Sequence, residues 1–189
     1  MKNFSKFIGN MAKIVTKIVE VFQWVGAGMM LAATVCALVN PDWVGYFIGY
    51  DVKECCGADL SVYGFEIQAA VTNGQIDMTT LFLFGIGATL ILGLMAMIFR
   101  NLHLIIKKSE GTTALQPDNV RMFREIGIFS IAVPVVGFVM SVIARIVSGV
   151  ENAEIYNGFE GFVIGIVVLC ITQFFALGIE LEKDVDGLL

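Results

Sequence analysis

Few residues in this chain could carry acid–base or metal chemistry. There is one histidine, His103, and a general base or proton relay working near neutral pH would use its imidazole. It stands at the end of a long apolar stretch, where it reads as a polar residue at a lipid–water boundary. A zinc-protease helix needs His-Glu-x-x-His, and an intrachain haem pair needs two histidines, so one histidine excludes both. Of the four cysteines, Cys36 and Cys170 sit in apolar stretches and Cys55-Cys56 is a vicinal pair. Two neighbouring thiolates do not supply the four ligands of a structural zinc. Outside a reducing compartment they could oxidise, to each other or between chains, or remain thiols. Gly85-Ile86-Gly87 lies inside an apolar stretch without the strand–helix context of a nucleotide loop, and reads as packing. No catalytic, cofactor or metal constellation follows, and the chain reads as a non-enzyme.

Polar groups within apolar stretches are better candidates, because lipid makes them costly. Gln23 and Gln173 each lie one to two turns inside such a stretch. Arg145 ends another, where it either snorkels to headgroups or pairs with Glu151, Glu154 or Glu160. No Asp, Glu or Lys falls inside the stretches, which argues against a proton-coupled transporter.

The elements that must position these groups follow from composition. Of 189 residues, 57% are apolar and 15% charged, and mean hydropathy is +0.82; an ordinary soluble domain carries about 25% charged residues. Residues 21–39, 79–99, 126–144 and 161–179 are uncharged and long enough to cross a hydrocarbon core of about 30 Å as helices. The first is too long for the hydrophobic core of a cleaved signal peptide, and Val35 before Cys36 makes a poor lipoprotein signal. The fold expected is an all-α integral membrane protein forming one membrane domain, residues 1–189.

Basic residues set its orientation. Lys2, Lys6, Lys13 and Lys17 precede the first span. Arg100, Lys107, Lys108, Arg121 and Arg124 fall between the second and third, and Lys183 follows the fourth. Only Lys53 and Arg145 remain for the opposite side. Both termini are therefore expected in the cytoplasm of a cell membrane. The net charge of −5 conceals a basic inner collar suited to anionic headgroups and an acidic outer face.

Four pieces lie outside these spans. Residues 2–18 place Phe4, Phe7, Ile8, Met11, Ile14, Val15 and Ile18 at helical spacing, with Lys6, Lys13 and Lys17 on another face. That pattern predicts an amphipathic helix lying in the headgroup layer, the alternative being an extension of the first span. In the outer loop, 40–78, residues 61–70 alternate so that Tyr63, Phe65, Ile67 and Ala69 share one face, and Asn73-Gly74 supplies a two-residue turn. This predicts a small extracellular β-hairpin. In the cytoplasmic loop, 100–125, Gly111 breaks a tail of the second span. Pro117 suits the first turn of a new helix capped near Gln116 or Asp118. The loop 145–160 is short and acidic, and the tail is 180–189. Gly85, Thr89 and Gly93, Gly137 and Ser141, and Gly161 and Gly165 recur every four residues, so one face of each helix can approach a neighbour or a second copy. Pro134 should bend the third span.

Two segments carry a family resemblance. One is Gln116-Pro117-Asp118-Asn119-Val120-Arg121-Met122-Phe123-Arg124-Glu125-Ile126-Gly127. The other runs from Gln173 through Gly178, Glu180, Leu181 and Glu182 to Asp186. Together they resemble an uncharacterised bacterial family of four-helix membrane proteins, the YoaS-like group. Members tend to show an Asn-Val-Arg/Lys segment leading to Ile-Gly, and a Phe-x-x-Gly-x-x-Leu ending with an acidic tail. Ala114-Leu115-Gln116 replaces the usual Pro-Phe-Thr here. The resemblance implies a role in holding a small helix-turn-helix regulator at the membrane, and it brings no catalytic residue.

The expected function is that of a regulatory or partner-binding membrane protein. Arg121 and Arg124, with Asn119, would meet the acidic Glu180 and Glu182 at one cytoplasmic surface. Its expected partners are anionic lipid, a small cytoplasmic regulator and a second copy, with no direct nucleic-acid binding. The alternative is a small transporter, channel or immunity-type protein handling a peptide, lipid or ion.

Overall fold

The computed structural model describes residues 2–39, 58–69, 71–72, 75–76, 78–109, 116–148 and 160–186. Four long helices dominate: α1 (Lys2–Val39), α2 (Met78–Lys108), α3 (Pro117–Ser148) and α4 (Glu160–Asp186). Each is long and apolar enough to cross a membrane, as in a multi-pass membrane protein.

The helix ends follow local rules. Gln116 is the N-cap of α3, because its carbonyl accepts the first bonds, from the N–H groups of Asn119 and Val120 (3.0 and 3.1 Å). Pro117 fills the first helical position, where a missing N–H costs nothing. Asp118 in the first turn of α3, and Lys107 and Lys108 in the last turn of α2, complement the helix dipoles.

At the N-terminus the two elements expected over 2–18 and 21–39 are one uninterrupted helix, α1. Phe7, Ile8, Met11, Ile14, Val15 and Ile18, which suggested a surface helix, are exposed, as are Phe22 and Met29 further along. Thr16, Glu20, Gln23, Ala27, Thr34 and Ala37 are buried. They share one face, and it is this polar and small face that packs. The helix is amphipathic in the inverted sense that lipid imposes, polar inward and apolar outward.

Around the hairpin, β1 (Ala58–Val62) and β2 (Phe65–Ala69) pair antiparallel, with Val62 opposite Phe65. Tyr63 and Gly64 join them with φ of 47° and 80°, the positive values that a tight two-residue turn requires. The strand expected over 61–70 is thus folded at Tyr63. Tyr63 leaves the face it was expected to share, while Phe65 and Ile67 keep it and are fully buried. The two-residue turn preserves the alternation, which hides the fold in the sequence. A second short pair joins β3 (Val71–Thr72) to β4 (Gln75–Ile76). Asn73-Gly74, like Cys55-Cys56, lies outside the described residues.

The chain divides into two compact units. The first comprises Met1–Gln23, Leu94–Ala132 and Glu160–Leu189. Its apolar core is Ile105, Met122 and Ile126, surrounded by Ile98, Leu102, Leu104, Phe123 and Val168. Phe123 of α3 stacks on Phe175 of α4 with ring centroids 5.3 Å apart. One end of that contact is a crossing of Gly127 and Gly165. A methyl group at Gly165 would lie 2.8 Å from the Gly127 carbonyl oxygen and 2.5 Å from Ile131 Cγ1. A methyl group at Gly127 would lie 2.7 Å from Leu169. Glycine at both positions lets the two backbones touch, and α4 runs antiparallel along the first half of α3.

The second unit comprises Trp24–Gly93 and Val133–Phe159. Its hairpin seats Phe65 against Phe84 of α2, rings stacked 5.6 Å apart. Gly87 makes the space, since a Cβ there would fall 2.6 Å from the Phe65 ring. Gly85 likewise admits Thr34 of α1. Gly85-Ile86-Gly87 is therefore a packing element. Gly93 has nothing within 4 Å of a Cβ position. Substituting Gly165→Ala is expected to lower stability by about 1–2 kcal/mol through backbone overlap. Gly93→Ala gains up to about 1 kcal/mol of helix propensity. Thermal unfolding of the two variants in detergent should move in opposite directions.

Candidate functional site

Polar side chains gather in the first unit. Buried there are Thr16, Glu20 and Gln23 of α1, Asn101 of α2, Asn119 and Ser130 of α3, and Thr172 of α4. Among the described residues of the second unit, the buried polar side chains are the hydroxyls of Thr34, Thr80 and Ser141. Thr34 and Ser141 donate to the carbonyls of Met30 and Gly137 four residues back (2.8 and 2.9 Å).

The central group is Glu125. One carboxylate oxygen accepts from Asn101 Nδ2 of α2 at 3.0 Å and the other from Arg121 Nε, one turn back, at 3.0 Å. With both oxygens engaged, the carboxylate ties α2 to α3 and is not a free base. Glu20 accepts from Lys17 Nζ at 3.0 Å. Its carboxylate is buried while the lysine stem reaches outward, its side chain 52% exposed.

His103 is half-buried. Its Nδ1 lies 3.1 Å from the main-chain carbonyl of Lys13, which also takes the Thr16 hydroxyl at 3.1 Å. A carbonyl oxygen only accepts, so Nδ1 carries the proton and Nε2 holds the lone pair when the ring is neutral. The histidine is a strut from α2 to α1. Among the described residues it has no carboxylate or nucleophile as a hydrogen-bond partner.

The loop between α2 and α3 is closed by polar contacts. Lys108 Nζ pairs with Asp118 at 2.8 Å, and Asn119 Nδ2 donates to Ser109 Oγ at 3.3 Å. Asn119 is fully buried, so its place in the Gln116–Gly127 segment is that of a pin between two helices.

The other expected site residues are dispersed. Arg121 is exposed and engaged with Glu125, not with the acidic tail. Arg124, Glu180 and Glu182 are exposed, and no ion pair joins them among the described residues. Gln173 is exposed on α4, whereas Gln23 is buried on α1. Arg145 is half-buried in the last turn of α3, and Glu151 and Glu154 lie outside the described residues. Cys36 and Cys170 are exposed free thiols. Among the described residues no three His, Cys, Asp or Glu side chains gather as a metal site.

Glu20, Asn101 and Glu125 were not singled out from the sequence. The signal for Glu20 was present: it is the one acid in the first 39 residues, three from both Lys17 and Gln23 and four from Thr16. Asn101 and Glu125 lie outside the uncharged spans, in the loop 100–125, where a tail of the second span and a helix from Pro117 were expected but no bond between them. No protein-family model, curated protein or solved structure matches the chain.

Glu125→Leu is expected to cost about 1–3 kcal/mol by stranding the Asn101 amide. Adding Asn101→Leu should restore part of that loss, because no buried donor remains. A double-mutant cycle by thermal or denaturant unfolding in detergent measures it, and strictly additive losses would show that the two side chains do not interact.

Proposed function

We propose that the protein is a YoaS-like bacterial cell-membrane protein that works by holding a partner. Its partner is a small cytoplasmic regulator with a basic helix, bound at the acidic end of α4. One contrast carries this reading. The carboxylates of Glu20, Asp118 and Glu125 are engaged by cations within the protein. Glu180, Glu182 and Asp184 are exposed and have no ion pair among the described residues. Acidic groups on one rigid helix end, unneutralised, suit a basic segment laid across them. Individual surface pairs are weak, so several must act together.

The frame of this reading is the basic collar. Lys13, Lys17, Arg100, Lys107, Lys108, Arg121 and Arg124 all belong to the first unit. They support setting that unit at the cytoplasmic leaflet beside anionic headgroups, by the rule that cytoplasmic flanks collect Lys and Arg. The hairpin then caps the extracellular ends, and both termini are cytoplasmic.

Two measurements test the reading. Affinity capture from native membranes should recover a basic cytoplasmic protein with the wild-type chain and lose it with Glu180→Gln/Glu182→Gln/Asp184→Asn. The same protein should be released at about 1 M salt, where the screening length falls to about 3 Å. Equal recovery with both chains would remove the tail from the function. For orientation, a membrane-impermeant maleimide should label Cys55 and Cys56 in intact, reductant-treated spheroplasts when Cys36 and Cys170 are alanine. In a chain whose four native cysteines are all alanine, a cysteine at Ser5 should react only after permeabilisation. The opposite pattern would invert the topology.

A further inference from the structure

The basic residues of the first unit divide by what their charges do. Lys17, Lys108 and Arg121 each hold a carboxylate of the protein itself, those of Glu20, Asp118 and Glu125. Arg100 and Lys107 are exposed and have no ion pair among the described residues. They share one face of α2, two turns and about 10 Å apart along the axis, and His103 stands between them.

That histidine marks where α2 meets α1. Its Nδ1 and the Thr16 hydroxyl both bond the Lys13 carbonyl, each at 3.1 Å. At about 100° per residue, Lys13 and Lys17 stand roughly 60° and 100° past Thr16 on α1. On α2, Arg100 and Lys107 stand roughly 60° and 40° past His103. As consecutive spans, α1 and α2 run in opposite directions. In antiparallel helices, offsets of one sign turn to the same side. Lys13, Lys17, Arg100 and Lys107 therefore line one side of the α1–α2 seam. The Asn101–Glu125 bond is elsewhere, since Asn101 is about 200° round α2 from His103. Glu20 shares the flank of α1 with Lys17, which neutralises it, so Arg100 and Lys107 remain as positive charge.

We infer that this side of the seam holds the phosphate of an anionic glycerophospholipid, gripped between Arg100 and Lys107 with Lys13 and Lys17 at its rim. The inference deepens the reading of the basic collar and rests on that collar lying in a headgroup layer. Depth selects a lipid over a free anion. Residues 79–99 are uncharged and span about 30 Å as a helix, the thickness of the hydrocarbon core. Arg100 thus stands at the edge of that core, level with lipid phosphates. A lipid is held in this layer by its acyl chains, whereas a free phosphate gains little from exposed cations in water. A guanidinium grips a phosphate through two parallel hydrogen bonds, and a lysine adds a point charge. Because the site is built from two helices that His103 ties together, the bound lipid clips α1 to α2.

The full chain in neutral detergent is titrated with phosphatidylglycerol, and the lipid retained per chain is counted by native mass spectrometry. One phosphatidylglycerol should be retained in preference to phosphatidylcholine, with a rise in Tm. Arg100→Gln and Lys107→Gln should each weaken retention several-fold, and together by about tenfold or more. Arg100→Lys/Lys107→Arg, which keeps both charges, should retain the lipid. Arg124→Gln removes an exposed cation of α3 and should change retention by less than about twofold. Equal losses at positions 100, 107 and 124 would mean diffuse attraction to the whole collar. Equal retention of phosphatidylcholine, or displacement of the lipid by excess inorganic phosphate, would mean that no anionic lipid is selected. Any of these outcomes overturns the site. The titration is made in detergent, so it fails or succeeds independently of the orientation labelling and of what the acidic end of α4 binds.

Discussion

A polar group in hydrocarbon has no water to bond, and that constraint sorts the side chains of this protein. Large apolar residues cover the outside of all four helices, and the buried polar side chains, such as Glu20, Gln23, Asn101 and Asn119, lie inside among apolar ones such as Ile91, Ile105, Met122 and Ile126. In a water-soluble protein the outside would be mostly polar. The driving force between helices is accordingly not the removal of apolar surface from water but close packing and hydrogen bonds. The contacts are of those kinds: Gly127 on Gly165, Phe65 on Gly87, Asn101 on Glu125.

The two units solve the constraint differently. The second is held by shape, with Phe65 as a plug and its buried Thr34 and Ser141 hydroxyls bonded back into their own helices. The first adds polar bonds between helices, from Asn101 to Glu125 and from His103 to the Lys13 carbonyl. Polar bonds between fixed atoms specify register in a way that apolar contact does not. The one imidazole of the chain joins α2 to α1 through its Nδ1.

Much of this was legible in the sequence, and the misses have a common cause. Four uncharged runs gave the four helices, and Pro117 with Gln116 gave the start of α3. The apolar periodicity of residues 7–18 was also real. It belongs to one helix continuous with the first span, the alternative reading, because a moment gives the direction of a helix's apolar side but not where the helix ends. Glu20, Asn101 and Glu125 escaped because a span read from absence of charge stops at its first charged or polar residue, while the helix does not. The turn at Tyr63-Gly64 escaped because a two-residue turn leaves the period of two intact. The contact of Gly127 with Gly165 pairs residues far apart in sequence, and spacing within one helix says nothing of its neighbour.

The local bonds have a consequence for biogenesis. Thr16, Thr34, Thr89, Ser141 and Thr172 each donate to a carbonyl four residues earlier, and Lys17–Glu20 and Arg121–Glu125 neutralise charge within one turn. Each helix thus leaves the translocation machinery with most of its polar groups already quenched by itself. It can wait in lipid as a single rod. The bonds from Asn101 to Glu125, from Lys108 to Asp118 and from Asn119 to Ser109 require both α2 and α3, so a ribosome-bound chain cannot complete them before α3 has emerged.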